Sequence, residues 1–496
     1  MTVGKKIVSN VFYYFLDLAT ITVFGYLFWV LMGKMLVPFQ YGILLTTLTI
    51  FQIVNVSLTL GFTESLPKFI SEFMIKRKLN QVKSFIFFSS NITFYLSFVV
   101  SISLLVFSES FSVIFYGSGV MIDVFRFLSV LLFSGGLASI LKASAVGLQN
   151  FKIIFIADFV GCFIKILSSA LFVFLGFQAL GGVFGWTVWY TLILIIIFFS
   201  ISKYTTRKLE IDKKKFMKFS FFSMFSSFCT LILTQGNIVL LSFFSTFESV
   251  AIFGVAFLFS QIILFVPNVF LGALFPNISE MWVKKKSAVQ QIVSLATKMI
   301  TITVLPILIL FIFFSKFLIG FLYSELYIDA YLLFPTMLLG SLIFGISNIF
   351  LITLYSAQKP LKRLLIIFFG SLLSVLLSLL LIPFFDVIGA AFAFFFSSII
   401  LLILSTTSIN KIISFYFSKR TIFLVPSLLI FISILIFVQT MDNMVLKIIL
   451  AFFDLILYFI LLLKLKVINR NDMKILDYLP DKFGLKKFKK IMKKLV

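Results

Sequence analysis

Two lysines and an aspartate stand where charge is expensive. Lys165 lies near the middle of an apolar run, IADFVGCFIKILSSALF, and Asp158 precedes it by seven residues, two helical turns away on nearly the same face. Lys142 stands about six residues from the end of the preceding apolar run, and a short turn, GLQNFK, joins the two runs. Lys142 and Asp158 therefore come to similar depth and can pair. A charged side chain at the centre of a bilayer costs roughly 2.5 to 3.5 kcal/mol on insertion scales, so each one is a functional candidate by default. The chemistry on offer is a cationic site, net positive after one lysine pairs with Asp158, that holds a phosphate group, a task lysine suits as a point charge. The plainer alternative is a structural Lys142–Asp158 pair, with Lys165 stretching toward solvent or a helix carbonyl.

Amides offer a second chemistry. Gln52, Asn55, Gln235, Asn237, Gln261 and Asn348 all lie within apolar runs, and Gln52 and Asn55 share a helix face at i,i+3. Sugars are recognised by such donors and acceptors, and interhelical hydrogen bonds of roughly 1 kcal/mol explain them equally well. Two acids stand apart: Asp17 a third of the way into the first apolar run, and Asp454 in the last, which reads as structural.

The elements that must hold these residues are membrane helices. The chain has 496 residues, 61% hydrophobic and 12% charged, with a mean hydropathy of +1.18, far from the roughly 25% charged of soluble domains. The 42 basic residues outnumber the 18 acidic ones, but they sit between apolar segments, so the net charge of +24 points to topology and not to nucleic acid. There is no His, and Cys162 and Cys229 both lie in apolar runs. Catalytic histidine, Cys/His metal sites and a disulfide framework are excluded, and no cofactor, metal or catalytic residue is expected.

A bilayer core about 30 Å thick needs roughly 20 mostly apolar residues per helix. That ruler places spans near 10–32, 42–63, 84–107, 125–148, 153–175, 181–202, 220–244, 250–275, 297–319, 331–355, 361–383, 387–409, 421–440 and 445–463. The first is too long for a signal-peptide core and is read as a retained helix. With the N-terminus inside, 36 of the 42 basic residues fall on the cytoplasmic side, and only Lys34, Arg126, Lys316 and Lys447 lie outside or at outer ends. Both termini are expected in the cytoplasm. The outer loops are too short to house an extracytoplasmic domain.

The chain is written twice. LPKFISE at 66–72 returns as FPNISEM at 275–281, and Pro67/Pro276, Gln149/Gln358 and Gly161/Gly370 are each 209 apart. LGGVFGW at 180–186 matches IGAAFAF at 388–394 with a shift of 208. Because six is even, both six-helix copies enter the membrane the same way, which implies two lobes related by an axis along the membrane normal. The expected fold is an all-α polytopic membrane protein: a lobe at 1–208, a lobe at 209–420, two appended helices at 421–463 and a basic tail at 464–496. In that tail Leu485, Phe488, Ile491, Met492 and Leu495 share a helical face opposite lysines, as suits a helix lying on the inner leaflet.

GKMLVPFQYG at 33–42 resembles the G-(K/R)-x-L-x-P-x-x-(Y/F)-G loop of prokaryotic polysaccharide flippases, in the multidrug/oligosaccharidyl-lipid/polysaccharide exporter superfamily. The resemblance continues through LGFTESLPKFISE at 60–72, AVGLQNFK at 145–152 and the basic stretch before the seventh helix. It implies a non-enzymatic flippase, working as a single chain in a prokaryotic plasma membrane, that moves a polyprenyl-pyrophosphate oligosaccharide to the outer leaflet by alternating access. Lys165, Lys142 and Asp158 would then meet the pyrophosphate, and Gln52, Asn55, Asn237 and Asn348 the sugars. Asp17 becomes a candidate for Na+ or H+ coupling or for gating, since a first-helix acid often senses a cation in this superfamily. Membrane lipids are the other expected partner. Two relatives stand as alternatives: cation-coupled multidrug antiporters, which buried lysines disfavour, and the lipid II flippase, which also has fourteen helices.

Overall fold

A computed structural model describes residues 3–204, 212–284, 286–413, 423–465 and 467. Within lipid every backbone N–H and C=O must find its partner inside the segment, so apolar runs of this length fold as helices. In chain order these are α1 (Val3–Met35), α2 (Pro38–Leu58), α3 (Phe62–Ile75), α4 (Leu79–Val106), α5 (Ser108–Tyr116), α6 (Ile122–Gly147), α7 (Phe151–Phe172) and α8 (Ala179–Ile201). Then follow α9 (Lys213–Phe244), α10 (Phe247–Lys284), α11 (Lys286–Phe313), α12 (Ser315–Leu322), α13 (Phe334–Ser356), α14 (Pro360–Asn410), α15 (Leu424–Gln439) and α16 (Met444–Lys464). No strand occurs among the described residues.

Twelve of these helices are long and apolar enough to cross a membrane. One of the twelve, α14, is 51 residues long and holds two expected spans, divided where Asp386 leaves helical geometry at φ 51°, ψ −127°. The shorter apolar α15 occupies the expected 421–440 span. All fourteen expected spans thus fall on helix, and the protein is a multi-pass membrane protein.

Two expected spans end earlier than the hydropathy ruler placed them. The 42–63 span stops at Leu58, because Leu60 and Gly61 take left-handed backbone (φ 46° and 73°), and the chain restarts as α3. The 297–319 span stops at Phe313, and α12 follows as a separate short helix. The outer loop near 109–124 also contains a helix, α5.

The repeat is visible in the backbone as well as in the letters. Gln149 and Gln358, 209 apart, both adopt left-handed φ (58° and 57°) at the ends of α6 and α13. Gln178 (φ 50°, ψ −129°) and Asp386 (φ 51°, ψ −127°), 208 apart, turn the chain between successive helices in nearly identical geometry. The copies differ at the repeated phrase: LPKFISE lies on the separate α3, whereas FPNISEM lies within the unbroken α10.

By packing, the described chain forms two compact units. One holds the chain as far as Gly254 together with Gly320–Ile328 and Ser374–Ala390. Its cores gather Phe62, Phe69, Phe85 and Phe216 around α3, and Ala157, Cys162, Trp189 and Ile193 between α7 and α8. The other holds Val255–Ile319, Asp329–Leu373 and the chain from Ala391, with a core in which Met299 and Ile302 of α11 meet Phe431 of α15 and Tyr458 of α16. The expected lobe boundaries at 208/209 and 420/421, and the amphipathic tail at 482–496, lie outside the described residues.

Candidate functional site

Four helices of the first unit assemble the charged cluster. The turn at Gln149 folds α7 back along α6 and brings Lys142 Nζ to 2.6 Å from Asp158 Oδ2. The Asp158 side chain is fully buried and that of Lys142 is 29% exposed. The contact is an ion pair by distance without hydrogen-bond alignment, and Asp158 Oδ1 has no hydrogen-bond partner among the described residues. Asp17, buried on α1, lies within electrostatic reach of both Lys142 and Asp158, and its Oδ1 is likewise unpartnered. The cluster therefore holds two carboxylates around one lysine.

Lys165 belongs to the same cluster but has different neighbours. It is 2% exposed, and its ammonium lies over three rings: Trp189 at 4.2 Å, Phe28 at 5.1 Å and Trp186 at 5.2 Å. No carboxylate stands within ion-pair distance of it among the described residues. The negative faces of the rings take the part an anion would play. Close approach of α8 to α7 makes the box: a Cβ at Gly185 would overlap the Ser169 hydroxyl and press on the Lys165 carbonyl.

A cavity of about 270 Å³ opens beside this cluster, lined by Thr63, Ser139, Lys142, Trp189, Tyr190 and Ile193, among others. A ligand there meets Lys142 directly. It meets Lys165 only through the Trp189 ring, which faces both.

The amides are scattered. Asn55 Nδ2 donates to Ser139 Oγ at 3.2 Å, one turn from Lys142 and on the cavity wall. Gln235 Nε2 donates to Gln52 Oε1 at 3.1 Å, joining α9 to α2. Asn237 is buried in helix–helix bonding: its Oδ1 accepts from Ser378 at 2.8 Å and Ser374 at 3.3 Å, and its Nδ2 donates to the Ala390 carbonyl at 3.4 Å. Asn348 lies half-buried on α13 in the second unit. Of the expected residues, Lys142, Asp158, Asp17 and Lys165 cluster, with Asn55 alongside. Sequence reasoning missed Phe28, Trp186 and Trp189. The one signal available was W-x-x-W at 186–189, two of the four tryptophans on one helix face opposite an intramembrane lysine.

A buried, charged cluster in a helical membrane unit marks a candidate functional site, because intramembrane charge is costly. Residues 31–332 match the family model described as polysaccharide biosynthesis protein, and the chain belongs to that family. No curated protein matches it in sequence. Among solved structures it is similar to a lipid II flippase, MurJ, in an inward closed conformation: TM-score 0.70 at 16% identity, over 92% of this chain and 99% of that one. It is also similar to an inward-facing multidrug resistance MATE family transporter (TM-score 0.64, 13% identity, 80% and 98% covered). A variant of the Vibrio cholerae MATE transporter VcmN gives TM-score 0.60 at 13% identity, with 82% and 96% covered. These likenesses establish the two-lobed fold.

Proposed function

We propose that the protein flips a polyprenyl-pyrophosphate oligosaccharide from the inner to the outer leaflet of a prokaryotic plasma membrane, by alternating access of its two lobes. The observation that carries this reading is the Lys142–Asp158–Asp17 cluster opening onto a cavity, with Lys165 held behind Trp189. Family membership supports the glycan, and buried lysines support an anionic headgroup. No bond is made or broken. The pyrophosphate meets Lys142 first, and Lys165 is released from its aromatic box to meet it as the helices move. Ser139 on that wall, with Asn55 hydrogen-bonded behind it, serves the sugar. Two carboxylates around Lys142 leave one negative charge, which a Na+ or H+ at Asp17 offsets while the substrate is bound. The prenyl chain stays in lipid throughout.

Reconstituted protein given a fluorescent polyprenyl-pyrophosphate oligosaccharide should expose half or more of the label to an impermeant quencher, and protein-free vesicles should not. Movement of lipid II in preference to other glycans would assign the chain to the rival flippase class. Movement of small amphiphilic cations alone would overturn the flippase reading and make Asp17 the coupling acid of an antiporter.

A further inference from the structure

Basic residues are scarce on the outer face, and the structure accounts for two of the four there. Arg126 pairs with Asp123 at 3.1 Å, and Lys34 lies 5.7 Å from the Phe321 ring centre. The other two converge. Lys316, at the start of α12, and Lys447, in the first turn of α16, line one cavity of about 330 Å³ in the second unit. No Asp or Glu lines this cavity, and among the described residues neither lysine has a carboxylate at ion-pair distance.

The walls give the site a shape and a polarity. Gln439 Nε2 donates to the Phe313 carbonyl at 2.9 Å, tying the end of α15 to the end of α11. Lys316 Nζ stands 4.3 Å from the centre of the Tyr331 ring, a contact that holds its ammonium at the rim. Beside the two cations, Ser315, Tyr331 and Gln439, apolar side chains make up the rest of the lining, Phe313, Phe314, Phe317 and Met444 among them. A free inorganic anion has no use for such a wall. An anion that carries hydrocarbon uses both halves, and at this depth the bilayer supplies one.

We propose that this cavity binds the phosphate headgroup of an outer-leaflet lipid, with Lys316 and Lys447 on the phosphate and the chains along Phe313, Phe317 and Met444. The outer placement rests on the topology set by the lysine distribution, and it is independent of the substrate reading above. The lipid ties α16 to α12 at the outer face, so the appended helices become a lipid-responsive element.

The test uses the full-length protein in phosphatidylcholine nanodiscs doped with phosphatidylglycerol, with retained lipid counted by native mass spectrometry. The wild type should retain phosphatidylglycerol above its bulk fraction. In the Lys316→Gln/Lys447→Gln variant that enrichment should fall by up to about thirtyfold, on the scale of two lysine–anion attractions at a membrane surface. A Lys34→Gln control should keep it, and Lys316→Arg/Lys447→Arg should restore it. Equal melting temperatures in phosphatidylcholine alone show that the double variant is folded. Undiminished enrichment in the folded double variant overturns the site. Displacement of phosphatidylglycerol by millimolar inorganic phosphate, with equal stabilisation by either, overturns the lipid and leaves a free-anion site.

Discussion

Lys142 and Lys165 carry the same charge and should fail differently when removed. Lys142 compensates buried carboxylates, so Lys142→Met strands Asp158 and Asp17 inside the first unit; breaking a buried pair from one side costs about 3 to 5 kcal/mol. Lys142→Met/Asp158→Leu should recover part of that loss, because only Asp17 is then left without its lysine. Lys165→Met strands no carboxylate. It gives up cation–π attraction worth about 2 kcal/mol or more at a desolvated site, sheds the cost of burying an ammonium, and keeps an apolar side chain among Phe28, Trp186 and Trp189. Melting in detergent should rank wild type above Lys165→Met and the double variant, with Lys142→Met lowest, while flipping by folded Lys165→Met falls to the protein-free rate. A melting order that puts Lys165→Met lowest, or normal flipping by it, would refute the division of labour. The pair was legible in the sequence because a short turn fixes how α6 faces α7. The aromatic box was not, because it depends on the rotation of α8 against α7, which no local pattern encodes.

At the scale of elements, hydropathy found the spans because burial in lipid is a property of composition summed over about 20 residues. It was blind to interruptions. Residues 42–63 carry no charge, yet left-handed backbone at Leu60 and Gly61 ends α2, and a Cβ at Gly61 would collide with the Ser220 carbonyl and Met224 N. Chain geometry, not polarity, sets that boundary and frees α3 to lie with Phe62, Leu66, Phe69 and Ile70 buried and Lys68 and Glu72 facing out. The Gly181-x-x-x-Gly185 spacing was more informative, since small residues at that interval mark close helix packing. Gly185→Ala should destabilise by about 1 to 3 kcal/mol through overpacking against Ser169 and Lys165. Gly25→Ala on α1, where nothing lies within 4 Å of the new methyl, should be neutral or stabilising by up to about 1 kcal/mol. Paired melting curves decide it, and equal effects at the two positions would refute the packing account. A second element-scale contact closes the loop before α2: Tyr327 Oη donates to the Leu36 carbonyl at 2.8 Å and its ring meets Tyr41 at 5.4 Å. Tyr327→Phe keeps the ring and loses the bond, so hydrogen exchange at residues 36–41 should quicken by about fivefold, the effect of roughly 1 kcal/mol.

For the whole molecule, charge distribution decides both orientation and energetics. The positive-inside rule expects the lysine-rich side, with both termini, in the cytoplasm, so cysteines introduced at Arg77 and Ser118, with Cys162 and Cys229 replaced, should respond oppositely to an impermeant maleimide applied from outside: Ser118→Cys labels and Arg77→Cys does not. That orientation gives the driving force a sign. A pyrophosphate headgroup carrying about two negative charges gains roughly 4 to 5 kcal/mol per 100 mV on moving outward across the full field of an inside-negative membrane. Transport by Lys142 and Lys165 alone would neutralise nothing permanently, because both residues stay behind. Flipping in proteoliposomes clamped by a potassium gradient and valinomycin should therefore accelerate when the cytoplasmic side is negative and slow when it is positive, without added Na+ and at equal pH on both sides. If the rate ignores the potential and instead follows a Na+ or H+ gradient, the headgroup crosses with its charge compensated. Asp17 beside Asp158 then becomes the group that carries the compensating cation, and Asp17→Asn should abolish the gradient dependence while leaving substrate binding in place.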